Sequence, residues 1–333
     1  GDHRDLHYPL RRQRQMCIRD RTGPERLGLL RFRDSQAEGE GSLVRSGAYQ
    51  LLLQGISPPP AGSHYELWLV DGSFNTLNLG PFPAESNVDY SGSTAEDLLG
   101  SYDGALISIE PDGEDDGKIG PLAFNGLIPA ESLLHIRHVV TAFEGNPEGK
   151  AFLAGAEEQL LLAAEHTGFM LDELAADNIR EAQRHAEHVV NILDGESGAN
   201  FGDLDGDTVA QNPGDGFGVR AYVEGAKQHA QLASDAPGAT TEVQLHAGHV
   251  QISGDNMLLW IDESISEALR VIASDSSGEA QGAAEALAQQ LDLSYVGQDV
   301  DGDGAIAPIA GEGGWQTAYE HALNTVSYTH LTL

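Results

Sequence analysis

From Leu27 to Pro129 the apolar positions fall in short runs. Leu27–Arg33, Ala48–Ile56, Tyr65–Val70, Ala105–Ile109 and Pro121–Phe124 have strand length, and clusters of Gly, Pro, Asp and Ser separate them. That spacing predicts an antiparallel β-sandwich. Asp112–Asp116 (DGEDD) reads as a solvated hairpin tip within it. After Pro129 the texture changes to Ala, Leu, Glu and Gln with a helical period. The predicted helices are Ala130–Phe143, Lys150–Ala175, Ala176–Leu193, Val219–Ser234, Thr240–Ala273 and Glu279–Leu291, with a short one from Gln316. The expected fold class is therefore α+β and multidomain: a β-sandwich over 22–128, then an all-α, His-rich helical bundle over 129–325. Trp68 and Trp260 read as core, and Trp315 as packing a loop against its helix.

The helical part carries a repeated element. Asp203–Asp207 (DLDGD) precedes Gly214-Asp215-Gly216 and then Tyr222, and Asp299–Asp303 (DVDGD) precedes Gly311-Glu312-Gly313 and then Tyr319. Each stretch joins one predicted helix to the next, so the bundle is expected to contain two related helix–loop–helix units with Asp-rich loops.

Charge narrows the partners. The chain has a formal net charge of −34. Residues 1–21 hold six Arg and three acids, whereas the rest holds 12 Lys and Arg against 49 acids. Such an acidic surface argues against nucleic acid and against docking on anionic lipid, both of which need basic patches. Gln15–Arg21 (QMCIRDR) and Val326–Leu333 (VSYTHLTL) resemble translated sequencing-adapter read-through. Residues 1–21 and 326–333 are accordingly expected to be a non-native head and tail. Cys17, the only cysteine, lies in that head, which leaves the remainder without disulfides or thiolate metal sites. No apolar run reaches the roughly 18–20 residues needed to span a bilayer.

Tyr65–Gly80 (YELWLVDGSFNTLNLG) reads as two strands joined at Asp71-Gly72-Ser73. With Ala48–Ile56, the turn Pro58–Gly62 and the later strand Gly104–Pro111, it resembles the C-terminal, extracytoplasmic domain of anti-sigma-K factors over roughly residues 27–127. The resemblance implies a module outside the cytoplasmic membrane, attached in its family to a membrane helix and a sigma-binding helical domain. Neither of those parts is represented in these residues.

Two constellations could carry chemistry. In the Asp-rich loops, three carboxylates at alternate positions can converge on one hard cation, since calcium takes six to eight oxygens. The expected calcium ligands are Asp203, Asp205, Asp207 and Asp215 in the first loop, and Asp299, Asp301, Asp303 and Glu312 in the second. The second loop resembles the start of an EF-hand or dockerin loop, with Gly304 at the sharp turn and Ile306 at the apolar position. It departs from the EF-hand pattern at the twelfth position, Ala310. In the first loop Thr208 replaces the turn glycine. The alternative is an acidic helix–helix turn that binds nothing.

The second constellation is histidine. His135/His138, His185/His188 and His246/His249 are three copies of His-x-x-His-Val. Residues three apart on a helix share a side, so each pair could offer two imidazoles to one ion. Zinc, copper or iron, or a haem clamped between imidazoles, are the candidate cofactors. His229 and His321 could join them. Polar packing of the helices, or a seam that responds to pH, would use the same residues.

Other chemistry lacks its motifs. There is no Gly-x-Ser-x-Gly, no phosphate-binding Gly-Lys-Ser/Thr loop, no Glu-x-x-His tetrad and no Cys-x-x-Cys-His. The chain is therefore expected not to be an enzyme. The expected function is the extracytoplasmic sensory or binding region of an anti-sigma-factor-like regulator, with a calcium-stabilised helical domain that holds metal or haem. A secreted metal- or haem-binding protein with no signalling role is the alternative.

Overall fold

The computed structural model describes residues 28–33, 47–113 and 116–325. The expected non-native head and tail, with Cys17, lie outside the described residues, as do Glu114 and Asp115 of the hairpin tip. The architecture is α+β, as the periodicities predict, with two antiparallel sheets followed by helices.

One sheet has the order β1 (Gly28–Arg33), β2 (Gly47–Gln54), β5 (Asn87–Thr94). The other runs β4 (Thr76–Pro81), β3 (Ser63–Val70), β6 (Gly104–Pro111), β7 (Leu122–Leu127). Every pairing is antiparallel. Alternation sets the buried faces: Tyr49, Leu51 and Leu53 of β2 and Leu67, Leu69 and Ile107 of β3 and β6 are buried. The sheets meet where Tyr49 Oη donates to Leu79 O at 3.2 Å and the Phe82 and Tyr90 rings lie 6.3 Å apart. Trp68 is buried as expected, and its Nε1 donates to Ser108 Oγ at 2.9 Å.

The Asp71 turn is held by its own carboxylate, which accepts from the backbone N–H groups of Ser73 and Asn75, each at 2.8 Å. β5 has no counterpart among the predicted strands. It is an edge strand of sequence NVDYSGST in which only Val88 is buried, so it lacks an apolar alternation to read. A single helical turn, α1 (Leu98–Ser101), follows it, capped by Asp97.

The remaining helices are α2 (Ala130–Val140), α3 (Phe152–Ala175), α4 (Ile179–Asp194), α5 (Val219–Asp235), α6 (Thr241–Ile272), α7 (Ser277–Tyr295) and α8 (Trp315–Thr325). Each falls on a predicted helix, with ends moved by a few residues. No helix among the described residues is long and apolar enough to cross a membrane. The chain divides into two compact units, one of His138–Gln231 with Ala247–Ala322, the other containing the sheets and Leu232–His246.

Within the first unit, α3 packs along both α4 and α7. Trp315 is sandwiched between Tyr295 and Tyr319, with centroids at 5.2 and 5.0 Å, and its Nε1 donates to Leu153 O at 2.8 Å. Gly155 of α3 lets the Tyr222 ring approach so closely that a Cβ there would lie 2.1 Å from Tyr222 Cε1. In the other unit, Arg137 of α2 donates to Leu99 O, Tyr102 O and Asp103 Oδ1 at 2.9, 3.1 and 2.9 Å.

Candidate metal centres

Among the described residues, three groups of histidines and two of carboxylates could each hold a metal ion. The histidine groups share one plan: two residues three apart on one helix, and a third from another helix.

The group that lies wholly within the helical unit is His166 of α3 with His185 and His188 of α4. Ligand nitrogens of all three lie within 4.8 Å of one another. Their Nδ1 atoms converge, His166 to His185 at 3.1 Å and His166 to His188 at 3.2 Å. The edge of a tetrahedron with Zn–N arms of about 2.0–2.1 Å is roughly 3.3–3.4 Å, so this spacing is close to that of ligands around one ion. It is also the spacing of an N–H···N hydrogen bond, the contact such a pair makes without an ion.

Burial, reinforced by the neighbouring His188 and His185, pushes His166 down to about 4. Burial also lowers His185, with His188 and Arg184 adding to it and Glu173 and Glu181 opposing. At neutral pH these two imidazoles are therefore uncharged, the form a metal binds. Phe169 lies against the rings of His166 and His185, with centroids at 5.6 and 5.4 Å.

In each of the other two predicted pairs, one histidine meets a third. His138 of α2 places Nδ1 3.1 Å from His229 Nδ1 of α5, and His135 stands one turn earlier on α2. The Phe143 and Phe152 rings flank this pair, at 5.1 Å each from His229. His249 of α6 places Nδ1 3.2 Å from His321 Nδ1 of α8, and His246 stands one turn earlier on α6. Burial lowers His249, and it lowers His135 against the raising effect of Glu131. The three pairs thus feed separate groups rather than one seam. Sequence reasoning anticipated His229 and His321 as partners but missed His166. That residue has no second histidine on its own helix, and only the packing of α3 on α4 brings it in.

The two acidic loops share most of their internal bonds, and in the second Asp303 N also donates to Asp299 Oδ1 at 3.2 Å. In the first, Asp203 Oδ1 accepts from Gly206 N at 2.9 Å and Asp203 Oδ2 from Thr208 N at 3.0 Å; Asp205 accepts from Asp207 N and Asp207 from Val209 N. In the second, Asp299 accepts from Gly302 N at 2.7 Å and Gly304 N at 2.8 Å, Asp301 from Asp303 N, and Asp303 from Ala305 N. The two loops therefore hold their Asp side chains against the backbone in largely the same way.

Each loop also closes over a buried glutamate. Glu187 of α4 accepts from Leu204 N, Asp205 N and Gln211 N at 2.6, 3.0 and 2.8 Å. Glu312 accepts from the matching amides, Val300 N, Asp301 N and Ala307 N, at 3.1, 3.3 and 2.9 Å. An asparagine fastens each loop as well: Asn191 exchanges bonds with Gly202 and Gln211, and Asn256 with Ile309, Gly311 and Gly313.

The carboxylates that come together are Glu187, Asp203 and Asp205 in one group and Asp299, Asp301 and Asp303 in the other. Glu187 was not anticipated, because a helix residue well before the loop gives no local signal. Asp215 stands apart from both groups, accepting from Tyr222 Oη at 2.6 Å and Phe217 N at 3.0 Å. Asp207 accepts from Gln211 Nε2 at 3.1 Å.

Comparison of the chain with protein-family models, with curated proteins and with solved structures finds no match.

Proposed function

We propose that this protein binds first-row transition-metal ions, one at each converging pair of histidines. The observation that carries the reading is the Nδ1-to-Nδ1 spacing of 3.1–3.2 Å, repeated at His166/His185, His138/His229 and His249/His321. Imidazole ligands suit zinc, copper or nickel, and at His166, His185 and His188 three of them leave a fourth position for water or another ligand. Facing nitrogens this close favour a bare ion over a haem, whose plane stands between its axial ligands. The role proposed is binding rather than catalysis.

Calcium in the two Asp-rich loops is the companion reading, supported by alternate carboxylates at Asp203, Asp205 and Asp207 and at Asp299, Asp301 and Asp303. There the ion would pin the loops between helices. The wider setting we propose is an extracytoplasmic sensory or binding region whose sheets belong to an anti-sigma-K-like module, a reading supported by the Tyr65–Gly80 motif.

The test is metal analysis of the full chain, purified without chelator or nickel resin and titrated with Zn(II) and Co(II). The expected result is three tightly bound ions per chain, each of His185→Ala, His138→Ala and His249→Ala removing one. Binding that stays non-stoichiometric, or that these substitutions leave unchanged, refutes the reading.

A further inference from the structure

We propose that Gln211 is a positioning residue for the His166/His185/His188 seat and ties metal binding there to the order of the Asp203–Asp207 loop. The inference rests on the metal-binding reading of that seat. Gln211 uses every polar group it has. Its backbone N donates to Glu187 Oε1 at 2.8 Å, and its carbonyl accepts from Asn191 Nδ2 at 2.8 Å. Its side-chain Nε2 donates to Asp207 Oδ2 at 3.1 Å, and its Oε1 faces His188 Nε2 at 2.9 Å.

The carboxylate settles which way the amide points, since only the NH2 end can face Asp207. Oε1 must then accept from His188, so the hydrogen of His188 is on Nε2. Nδ1 is left with its lone pair, aimed at His166 Nδ1 3.2 Å away. Fixing the tautomer and the ring plane of a ligand histidine is what an outer-shell acceptor does in metal sites. A metal on Nδ1 would in turn make the Nε2 hydrogen a stronger donor. That tightens Gln211 and, through Asp207 and the Glu187 bond, the loop. By reciprocity, a more ordered loop raises affinity at the seat.

The second loop supplies an internal control. Most of its bonds repeat those of the first, but the place of Gln211 is taken by Ala307. That residue makes the equivalent bond to Glu312 and has only a methyl group beyond it. The link to a histidine is therefore a property of the first loop alone.

The experiment uses the full chain with Zn(II) as the probe. It compares wild type, Gln211→Ala and Gln211→Glu by metal titration and by amide hydrogen exchange over residues 203–211 and 299–307. Gln211→Ala is expected to weaken one of the bound ions by about 10–100-fold and leave the others unchanged. Zn(II) should slow exchange over 203–211 in wild type but not in this variant, with 299–307 unaffected in both.

Gln211→Glu keeps an acceptor for His188 but sets a second carboxylate against Asp207. It should retain affinity within about threefold while losing the protection of the loop, which separates positioning from general damage. Suppose His185→Ala loses one bound ion, yet Gln211→Ala binds and protects like wild type. The inference is then overturned and the metal reading stands. If His185→Ala loses no ion, both are overturned.

Discussion

Glu187→Gln tests how the first acidic loop is held. Glu187 is 1 % exposed, and its two oxygens accept three backbone N–H groups: Leu204 and Asp205 on Oε2, Gln211 on Oε1. Glutamine has the same shape but only one acceptor. With its oxygen kept toward Leu204 and Asp205, the NH2 group faces the Gln211 N–H, so one bond becomes a donor–donor clash. The other two bonds lose their charge assistance. Bonds to charged groups contribute about 1.5–3 kcal/mol each, and a buried unsatisfied donor costs about 1–3 kcal/mol. The expected loss is therefore about 3–4 kcal/mol, after allowing for the two bonds that survive in neutral form. Urea denaturation followed by far-UV circular dichroism measures it, with hydrogen exchange at Leu204, Asp205 and Gln211 as the local readout. Because Glu312 holds the matching amides of the second loop, Glu312→Gln should cost a similar amount. A loss under about 1 kcal/mol with unchanged exchange at those three amides would refute the assignment.

Thr208 holds φ +80°, where the twin loop has Gly304 at φ +86°. A β-branched residue is strained there, so Thr208→Gly should raise stability by about 1 kcal/mol in urea melts, and no gain would contradict the strain argument. Gly155→Ala should cost about 2–3 kcal/mol in thermal unfolding. Tyr222 cannot yield, because it is fully buried and bonded to Asp215; a change under about 0.5 kcal/mol would show that α3 and α5 can part. Asp194 is 4 % exposed and accepts from Arg220 Nε and Asn200 N, each at 2.8 Å. Burial raises its carboxyl, but the Asn200 and Arg220 bonds outweigh that and hold it below its ordinary value. Its contribution is complete above the unfolded value of about 3.9 and is lost as pH falls through the lower folded one. Asp194→Asn should therefore cost about 3 kcal/mol at pH 7. The gap from wild type should close below about pH 4, and one that stays constant with pH would refute the assignment.

What the chain reveals before folding is what depends on near neighbours. The helices were legible because their apolar residues repeat every three or four positions. The His-x-x-His pairs were legible because that spacing alone puts two imidazoles on one side. The third histidine of each group comes from a different helix, so His166 carries no mark in its own segment. Glu187 is hidden for the same reason, since what it binds are backbone amides of a later loop. Glu312 was conspicuous by its place after the DVDGD run, which suggested a calcium ligand. In the folded chain its oxygens are directed at Val300, Asp301 and Ala307 N–H. β5 was illegible because an edge strand with one buried residue needs no alternation.

The two acidic loops carry this argument one step further. Most of their internal bonds correspond, yet the carboxylate that closes each comes from opposite sides in sequence. Glu187 lies on the helix before its loop, and Glu312 lies after the other. Duplication of a segment explains the first fact and not the second. What the loops share is a backbone shape that points three N–H groups at one buried spot, and leaving that spot empty would strand three donors. The chain meets the requirement with whichever glutamate the surrounding packing makes available. The anchor is thus a condition of the loop's shape, whether or not an ion sits among the aspartates. Gln211 is different in kind, because the loop closes equally well around Ala307. Its side chain has no counterpart in the second loop, and it is the part that reaches His188.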